Sequence, residues 1–187
     1  DLVQGLHTYP TQATQVMMNL IDSHDTFRFL ESCNGDVLRL KLAVLFQMTY
    51  VGTPHIWYGN EVGMMGGHDP DCRRPFNWQY EKNFENIELR NFYKKLIDIR
   101  KQFSSLRTGS FNTILADGMV YGYEREDEKS KIIVLINNDT KINKVKIPID
   151  AKFLLELIKD KEYEIKDGTL EIELESMSGV ILKMGSI

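Results

Sequence analysis

The first half of the chain carries the hydrophobic spacing of helices. In residues 36–50, apolar side chains recur every three or four positions over much of the circumference. This predicts a largely buried helix, with Asn34 or Asp36 able to cap its first turn. Residues 88–103 carry a single apolar stripe between Lys and Arg side chains, which predicts an amphipathic helix with one face on a core.

Two short apolar runs lie between the helical segments, at residues 16–21 and 55–58. Each leads into a polar or glycine-containing segment, residues 22–25 and residues 59–61. A buried strand followed by a polar loop and a helix is the unit of a parallel α/β sheet. Because chemistry in such sheets lies beyond the carboxyl ends of the strands, these two polar segments are the first candidates for a site.

From about residue 111 the hydrophobic period becomes two, which is typical of strands. Several short strands within one segment predict an antiparallel β-sandwich. We therefore predict an α/β portion at residues 1–106 and a β-sandwich at residues 107–187. The expected strands are residues 119–125, 131–137, 142–147, 153–158, 169–174 and 179–184.

The composition of the chain argues against several classes of protein. The chain has 187 residues, with 23 Lys+Arg against 27 Asp+Glu, so it lacks the clustered positive charge of a nucleic-acid-binding protein. Its apolar runs are far shorter than the roughly 20 residues of a membrane span. Two cysteines provide neither a disulfide framework nor a zinc-binding spacing. We expect no nucleic-acid or membrane partner.

The α/β portion is too short to form a complete parallel barrel. An eightfold β/α barrel takes about 250 residues, whereas residues 1–106 hold two clear units. Two parallel strands with open edges do not make a stable sheet. We expect additional upstream chain, or self-association, to cover these edges. The first residues lack a signal-peptide pattern and do not begin with Met, so we expect a piece of a longer protein and assign no cellular location.

His24 and Asp25 follow the first predicted strand. A carboxylate at this position can stabilise a developing cation or bind sugar hydroxyls, and a neighbouring His can donate a hydrogen bond. Alternatively, Asp25 caps a helix beginning near Thr26 and His24 is an ordinary polar residue. The dipeptide alone does not decide between these readings.

The loop at residues 63–78 is the second candidate segment. Asp69 and Arg73, four residues apart, can pair with each other on a rigid surface loop or bind the hydroxyls of a polyol. Phe76 and Trp78 lie in this polar loop and are better placed to stack on a ligand than Trp57 and Tyr58, whose pattern favours the core.

A metal site is an alternative interpretation of the same loop. Its donors would be His68, Asp69, Asp71 and Cys72. Adjacent residues cannot all converge on one ion, and no second group of ligands stands at a paired spacing. We therefore do not predict a metal here.

Two segments, NLIDSHDTFRFL and GTPHIWYGNEVGMMGGHDPDCRRPFNW, resemble the α-amylase family of glycoside hydrolases. The DPDCRRP sequence most resembles the neopullulanase, cyclomaltodextrinase and maltogenic amylase branch. The resemblance covers the whole chain. It implies that the first segment lies at the end of the seventh strand of a (β/α)8 barrel. The second segment would contain the eighth strand and the loop that follows it. Residues 1–106 would be the incomplete C-terminal portion of that barrel, and residues 107–187 the family's C-terminal sandwich.

The resemblance also implies roles for individual residues. Asp25 would be the third catalytic carboxylate, which favours the distorted, oxocarbenium-like transition state. His24 would hydrogen-bond the sugar beside the cleaved bond. Asp69 and Arg73 would hold a glucose further along on the non-reducing side. Arg28 is expected to order the loop through a carboxylate rather than to touch substrate.

The chain also departs from the family pattern. Retaining hydrolysis needs a nucleophilic and an acid/base carboxylate. In this family they follow the fourth and fifth strands, which would precede Asp1, and neither motif is found here. The chain alone is therefore expected to be inactive. Asn60 stands where relatives usually carry Asp, and Trp57 where many carry Tyr.

The expected function is the C-terminal part of a retaining enzyme that degrades an α-glucan, maltooligosaccharide or cyclodextrin. No cofactor is expected in this chain, and calcium is possible in the intact enzyme. The alternative is a non-catalytic carbohydrate-binding or structural β-sandwich module. A transglycosylating relative would use the same residues, and no residue decides between hydrolysis and transfer.

Overall fold

The computed structural model describes residue 6 and residues 8–185, with helices in the first part of the chain and strands in the second. The helices include α1 (Thr11–Val16), α2 (Phe29–Ser32), α3 (Val37–Thr49), α4 (Phe84–Gln102) and α5 (Ser105–Thr108). Short 3-10 turns cover Asn60–Val62, Asp71–Arg73 and Tyr80–Lys82. The strands are β1 (Met18–Leu20), β2 (Thr53–His55), β3 (Ser110–Asp117), β4 (Val120–Glu126), β5 (Lys131–Asn137), β6 (Asn143–Pro148), β7 (Phe153–Glu156), β8 (Lys161–Glu164), β9 (Thr169–Leu174) and β10 (Ser178–Met184).

The two long helices form where the apolar spacing predicts them. The carboxylate of Asp36 accepts the backbone N–H groups of Leu38 and Arg39 and so caps α3. Helix α4 begins four residues earlier than expected, because the side chain of Asn83 accepts the N–H of Glu85 and caps it there. Both helices bury their apolar faces in one core.

Strands β1 and β2 form a parallel pair, with Met18 opposite Thr53 and Leu20 opposite His55. Strand β2 lies earlier than the predicted 55–58. Residues 56–58 are apolar, and Ile56 packs on the core. They do not extend the strand, because the chain turns there and the N–H of Asn60 donates to the carbonyl of Trp57. The side chains of β1 are largely uncovered: Met18 is 59% exposed and Leu20 is 45% exposed.

The second part is built from antiparallel strands. One sheet has the order β3-β4-β5-β10-β7-β8 and the other pairs β6 with β9. Apolar side chains of the two sheets pack together, including Ile133 and Leu135 of the first and Val145 and Ile172 of the second. Strand β8 is not among the strands that the sequence predicts. Its Lys-Glu-Tyr-Glu sequence has little apolar signal, and it forms by pairing with β7.

Buried arginines join the two parts of the chain. Arg100 of α4 and Arg125 of β4 are buried and donate to backbone carbonyls. Both donate to the carbonyl of Leu106, and both reach carbonyls at the end of α3, those of Met48 and Thr49. The end of a helix carries partial negative charge, which favours these guanidinium groups. The boundary at residues 106 and 107 stays a prediction, since one hydrophobic core runs across it.

No helix in the part of the chain that the structure describes is both long and apolar enough to cross a membrane.

Candidate functional site

His24 and Asp25 lie in the exposed loop that follows β1. Their side chains contact each other, with His24 Nε2 3.2 Å from Asp25 Oδ2. Asp25 does not cap the following helix, so that alternative is wrong. The first N–H of α2, that of Phe29, donates instead to Asp22 Oδ2 at 2.7 Å. The carboxylate of Asp25 is therefore free of a backbone role, and its side chain is 68% exposed.

The guanidinium of Arg73 brings the four predicted site residues together. Its Nη2 lies 3.2 Å from Asp69 Oδ2 and 3.6 Å from Asp25 Oδ1. Its Nε donates to the carbonyl oxygen of His24 at 3.1 Å. The pairing of Asp69 with Arg73, which the spacing allowed, is thus present. The contact with Asp25 joins the loop after β1 to the loop after β2.

A second set of contacts holds the loop after β2. Asp71 Oδ2 accepts the N–H of Gly67 at 2.7 Å, and Asp71 Oδ1 lies 2.6 Å from Arg74 Nε. These two donors lower the pKa of the Asp71 carboxyl, the Gly67 N–H contributing most. Gly66 runs so close to the chain that a Cβ there would lie 2.6 Å from the carbonyl oxygen of Asp71. The loop conformation therefore depends on residues other than Asp69 and Arg73.

The four side chains considered as metal ligands, those of His68, Asp69, Asp71 and Cys72, contact separate partners. Cys72 Sγ donates to the carbonyl of His24, Asp69 pairs with Arg73, and Asp71 pairs with Arg74. The His68 ring packs edge-on against Phe27 at 4.3 Å. Across residue 6 and residues 8–185, no group of three His, Cys, Asp or Glu side chains is arranged to hold a metal ion.

Arg28 is fully buried and links the two loops from beneath. Its Nη1 donates to the Tyr58 carbonyl at 2.7 Å and to Asn60 Oδ1 at 3.1 Å. Asn60 Nδ2 in turn donates to Asp22 Oδ1 at 2.5 Å. The expectation that Arg28 acts through a carboxylate is wrong for the described residues: an amide stands between Arg28 and Asp22.

Aromatic rings complete the surroundings of the cluster. The Trp57 ring lies 5.7 Å from the His24 ring, and the Arg28 guanidinium lies 4.9 Å from the centre of the Tyr58 ring. The Tyr58 hydroxyl donates to the carbonyl of Arg74 at 2.8 Å. Trp57 and Tyr58 therefore contact the site loops, whereas their apolar pattern had favoured the core.

Asp22 and Asn60 were not predicted as site residues. Both are buried polar side chains at the ends of apolar runs. That position is the signal that could have found them, because a polar group is buried only when it has a hydrogen-bonding partner.

Comparison with known proteins identifies the family. The model of the α-amylase catalytic domain matches residues 1–109. The chain belongs to the α-amylase family. It is 44% identical over 182 residues to a cyclomaltodextrinase of Thermoanaerobacter pseudethanolicus, covering 97% of this chain and 31% of that protein. It is 40% identical over 190 residues to neopullulanase 2 of Thermoactinomyces vulgaris, covering 99% and 32%.

Solved structures of this family have the same fold. A cyclomaltodextrinase structure superposes with a TM-score of 0.89 at 36% identity, covering 97% of this chain and 32% of that one. An Anoxybacillus α-amylase structure gives a TM-score of 0.89 at 27% identity, covering 99% and 41%. The chain spans about a third of the length of the curated relatives above. The resemblance to the cyclomaltodextrinase and neopullulanase branch is confirmed.

Proposed function

We propose that this chain is the C-terminal part of a retaining glycoside hydrolase that degrades α-glucans or cyclodextrins. In this proposal β1 and β2 are the last two strands of a β/α barrel. Asp25 stabilises the positive charge that develops on the sugar ring in the transition state, and His24 hydrogen-bonds the same sugar. Asp69 and Arg73 bind the hydroxyls of a neighbouring glucose.

The position of Arg73 between Asp25 and Asp69 supports this proposal most directly. One guanidinium contacts both carboxylates across two loops, and all three side chains are substantially exposed. An ion pair that serves only stability is worth little at such exposure. Charged hydrogen-bonding groups that converge at the surface suit a ligand with many hydroxyls.

The two carboxylates that break the bond are proposed to come from upstream chain. A retaining enzyme needs a nucleophile and an acid/base about 5 Å apart, and the family places them on earlier strands. The parallel pair of β1 and β2, with the apolar side chains of β1 exposed, is consistent with further strands beside it. The 187-residue chain is accordingly expected to show no significant hydrolysis.

Turnover of maltooligosaccharides and cyclodextrins by the full-length protein tests the function. The Asp25→Asn variant keeps the size of the side chain but removes its charge. We expect turnover to fall by at least about a hundredfold, with the circular dichroism spectrum and melting temperature unchanged. An Asp25→Asn enzyme with the wild-type rate would overturn the role of Asp25.

Arg73 and Arg74 provide a matched pair for substrate binding. Arg73→Ala is expected to raise KM because Asp69 and Asp25 lose their shared partner. Arg74→Ala removes the contacts with Asp71 and with the Met65 carbonyl and none with Asp25 or Asp69, so its effect should appear first in stability. Equal KM values for wild type and Arg73→Ala would contradict the binding role.

The β-sandwich alone is the less favoured candidate. In residues 107–185, the large apolar side chains that are clearly exposed are Met119 and Ile142, and neither is aromatic. A sugar-binding surface on this part would then lack the flat rings on which sugars stack. Binding of maltoheptaose to residues 107–187 would favour this alternative. Calcium binding by the intact protein stays a prediction.

A further inference from the structure

Three aromatic residues stand at alternate positions in the loop between β2 and α4. The Phe76 and Trp78 rings are 4.8 Å apart and inclined at 62°, and the Phe76 and Tyr80 rings are 6.2 Å apart. The Arg90 guanidinium covers the Tyr80 ring at 5.2 Å. Trp78 differs from the other two because its side chain is 82% exposed.

The backbone beneath Trp78 is held by local hydrogen bonds. The N–H of Trp78 donates to the carbonyl of Phe76 at 3.1 Å, and the N–H of Gln79 donates to Asn77 Oδ1 at 3.1 Å. With the Phe76 ring against its side, Trp78 is supported in an exposed position rather than being loose. Burying a large apolar side chain stabilises a protein. A tryptophan held in an uncovered position offers an apolar ring face and a polar N–H to a ligand.

The position of Trp78 connects it to the site described above. Trp78 follows Arg73 by five residues, so their Cα atoms lie no more than about 17 Å apart. The Tyr58 hydroxyl, which holds the carbonyl of Arg74, ties this stretch to the site loops. A chain of sugars bound at Asp69 and Arg73 can therefore continue towards Trp78.

We propose that Trp78, supported by Phe76, is a stacking platform for a glucose unit of an α-glucan chain, beyond the unit held by Asp69 and Arg73. This inference rests on the proposed function. The C–H face of a glucose ring is apolar and flat, which matches an exposed indole, while its hydroxyls point outward. The exposed neighbours Asn77 and Gln79 can donate hydrogen bonds to such hydroxyls.

The size of the patch favours a sugar over a protein. A stable protein partner buries about 800 Å² on each side, whereas this surface offers one uncovered ring flanked by polar side chains. A single pyranose ring needs no more than that. A protein occupant would instead cover Trp78 in the full-length protein and exclude oligosaccharide from it.

The test uses nuclear magnetic resonance of the indole N–H groups, because the chain has two tryptophans and each gives its own signal. A Trp78→Phe variant assigns them. Titration of the 187-residue chain with maltoheptaose is expected to shift the Trp78 signal with saturation. Trp78→Ala should weaken the affinity for maltoheptaose about tenfold, and Trp78→Phe should retain most of it. Phe84→Ala is the control, since Phe84 is also exposed but stands outside the aromatic cluster.

The same titration on the full-length protein completes the test. A Trp78 signal that does not respond to maltoheptaose in either protein overturns the platform, as does equal affinity in Trp78→Ala. The proposed catalytic function fails separately, if the full-length protein binds through Trp78 but cleaves no α-glucan. If the full-length enzyme cleaves maltoheptaose but the Trp78 indole signal does not shift, only the stacking role of Trp78 is overturned.

Discussion

Arg28 and Asn60 meet in the interior, 3.1 Å apart from guanidinium Nη1 to amide Oδ1. The amide uses its other end to donate to Asp22, whose carboxylate also accepts the first N–H of α2. One side chain therefore contacts a buried cation and a buried carboxylate at once, although Nε and Nη2 of Arg28 have no hydrogen-bond partner among the described residues. Because Asp22 follows β1 and Asn60 follows β2, this link fixes the loop of Asp25 relative to the second strand.

The Asn60→Leu variant should lose this link. A leucine removes one hydrogen bond from Arg28 and one from Asp22, which keep the Tyr58 carbonyl and the Phe29 N–H as partners. Lost hydrogen bonds to buried charged groups of this kind cost about 2–4 kcal/mol. Urea unfolding of the variant measures the loss in the free energy of unfolding. Asn112→Leu is the control, because Asn112 is an exposed side chain that bonds Glu124 at the surface. Equal losses in the free energy of unfolding of the two variants would contradict a stabilising role for the buried amide of Asn60.

Local sequence signals predicted the elements and the cluster, but not the buried network. The spacing of apolar residues and the cap at Asp36 are local, so α3 lies where expected. The meeting of Asp25 with Arg73 follows from the rule that parallel strands end at one edge of a sheet. The bond between Asp22 and Asn60 joins residues 38 positions apart, and no local pattern encodes it. Strand β8 was missed because only tertiary pairing selects its backbone.

Gly66 and Gly67 should respond differently to the same substitution. A Cβ on Gly66 would lie 2.6 Å from a backbone oxygen, whereas a Cβ on Gly67 would find its nearest atom, Asp71 Oδ2, at 3.7 Å. Gly66→Ala must therefore shift the loop that carries Arg73, while Gly67→Ala fits. We expect Gly66→Ala to lower the melting temperature of the full-length enzyme and to reduce its kcat/KM severalfold. Gly67→Ala should keep both values near those of the wild type. Identical behaviour of the two variants would contradict the loop geometry.

Arg125 should be important for stability although it is remote from the site. It is fully buried and donates to four carbonyl oxygens, those of Thr49, Leu106, Gly109 and Ser110. Arg125→Met removes these donors and is expected to cost about 3 kcal/mol in the free energy of unfolding. Arg125→Lys should not restore the loss, because an ammonium cannot reproduce the planar fork.

The matched control for Arg125 is Arg39→Met. Arg39 pairs with Asp36 at the surface, so this change should stay within about 0.5 kcal/mol of wild type. Chemical denaturation measures both variants. A wild-type midpoint for Arg125→Met would contradict the role of the buried guanidinium in joining the sheet to α3.

Two buried tyrosines predict how stability changes at alkaline pH. Burial raises the pKa of the Tyr93 hydroxyl and that of the Tyr123 hydroxyl above the ordinary value of 10.0. Below that value both groups are neutral in the folded and the unfolded state. Above it the unfolded chain loses the protons first, so unfolding releases protons and the free energy of unfolding falls as pH rises. Each tyrosine contributes up to about 1.4 kcal/mol per pH unit.

Arg125 acts in the opposite direction over the same range. Burial lowers its pKa to about 10, so the unfolded chain retains that proton longer and stability gains with pH. Burial also lowers the pKa of Arg100 and raises that of Tyr50, so three tyrosines oppose two arginines, and the net stability should fall between pH 10 and 11. Urea unfolding at pH 8, 10 and 11 measures the slope. The Tyr93→Phe and Tyr123→Phe double variant should remove most of the fall, even if the lost contact of Tyr123 with Thr49 lowers its stability at every pH. A double variant as steep as wild type would assign the alkaline unfolding to other groups.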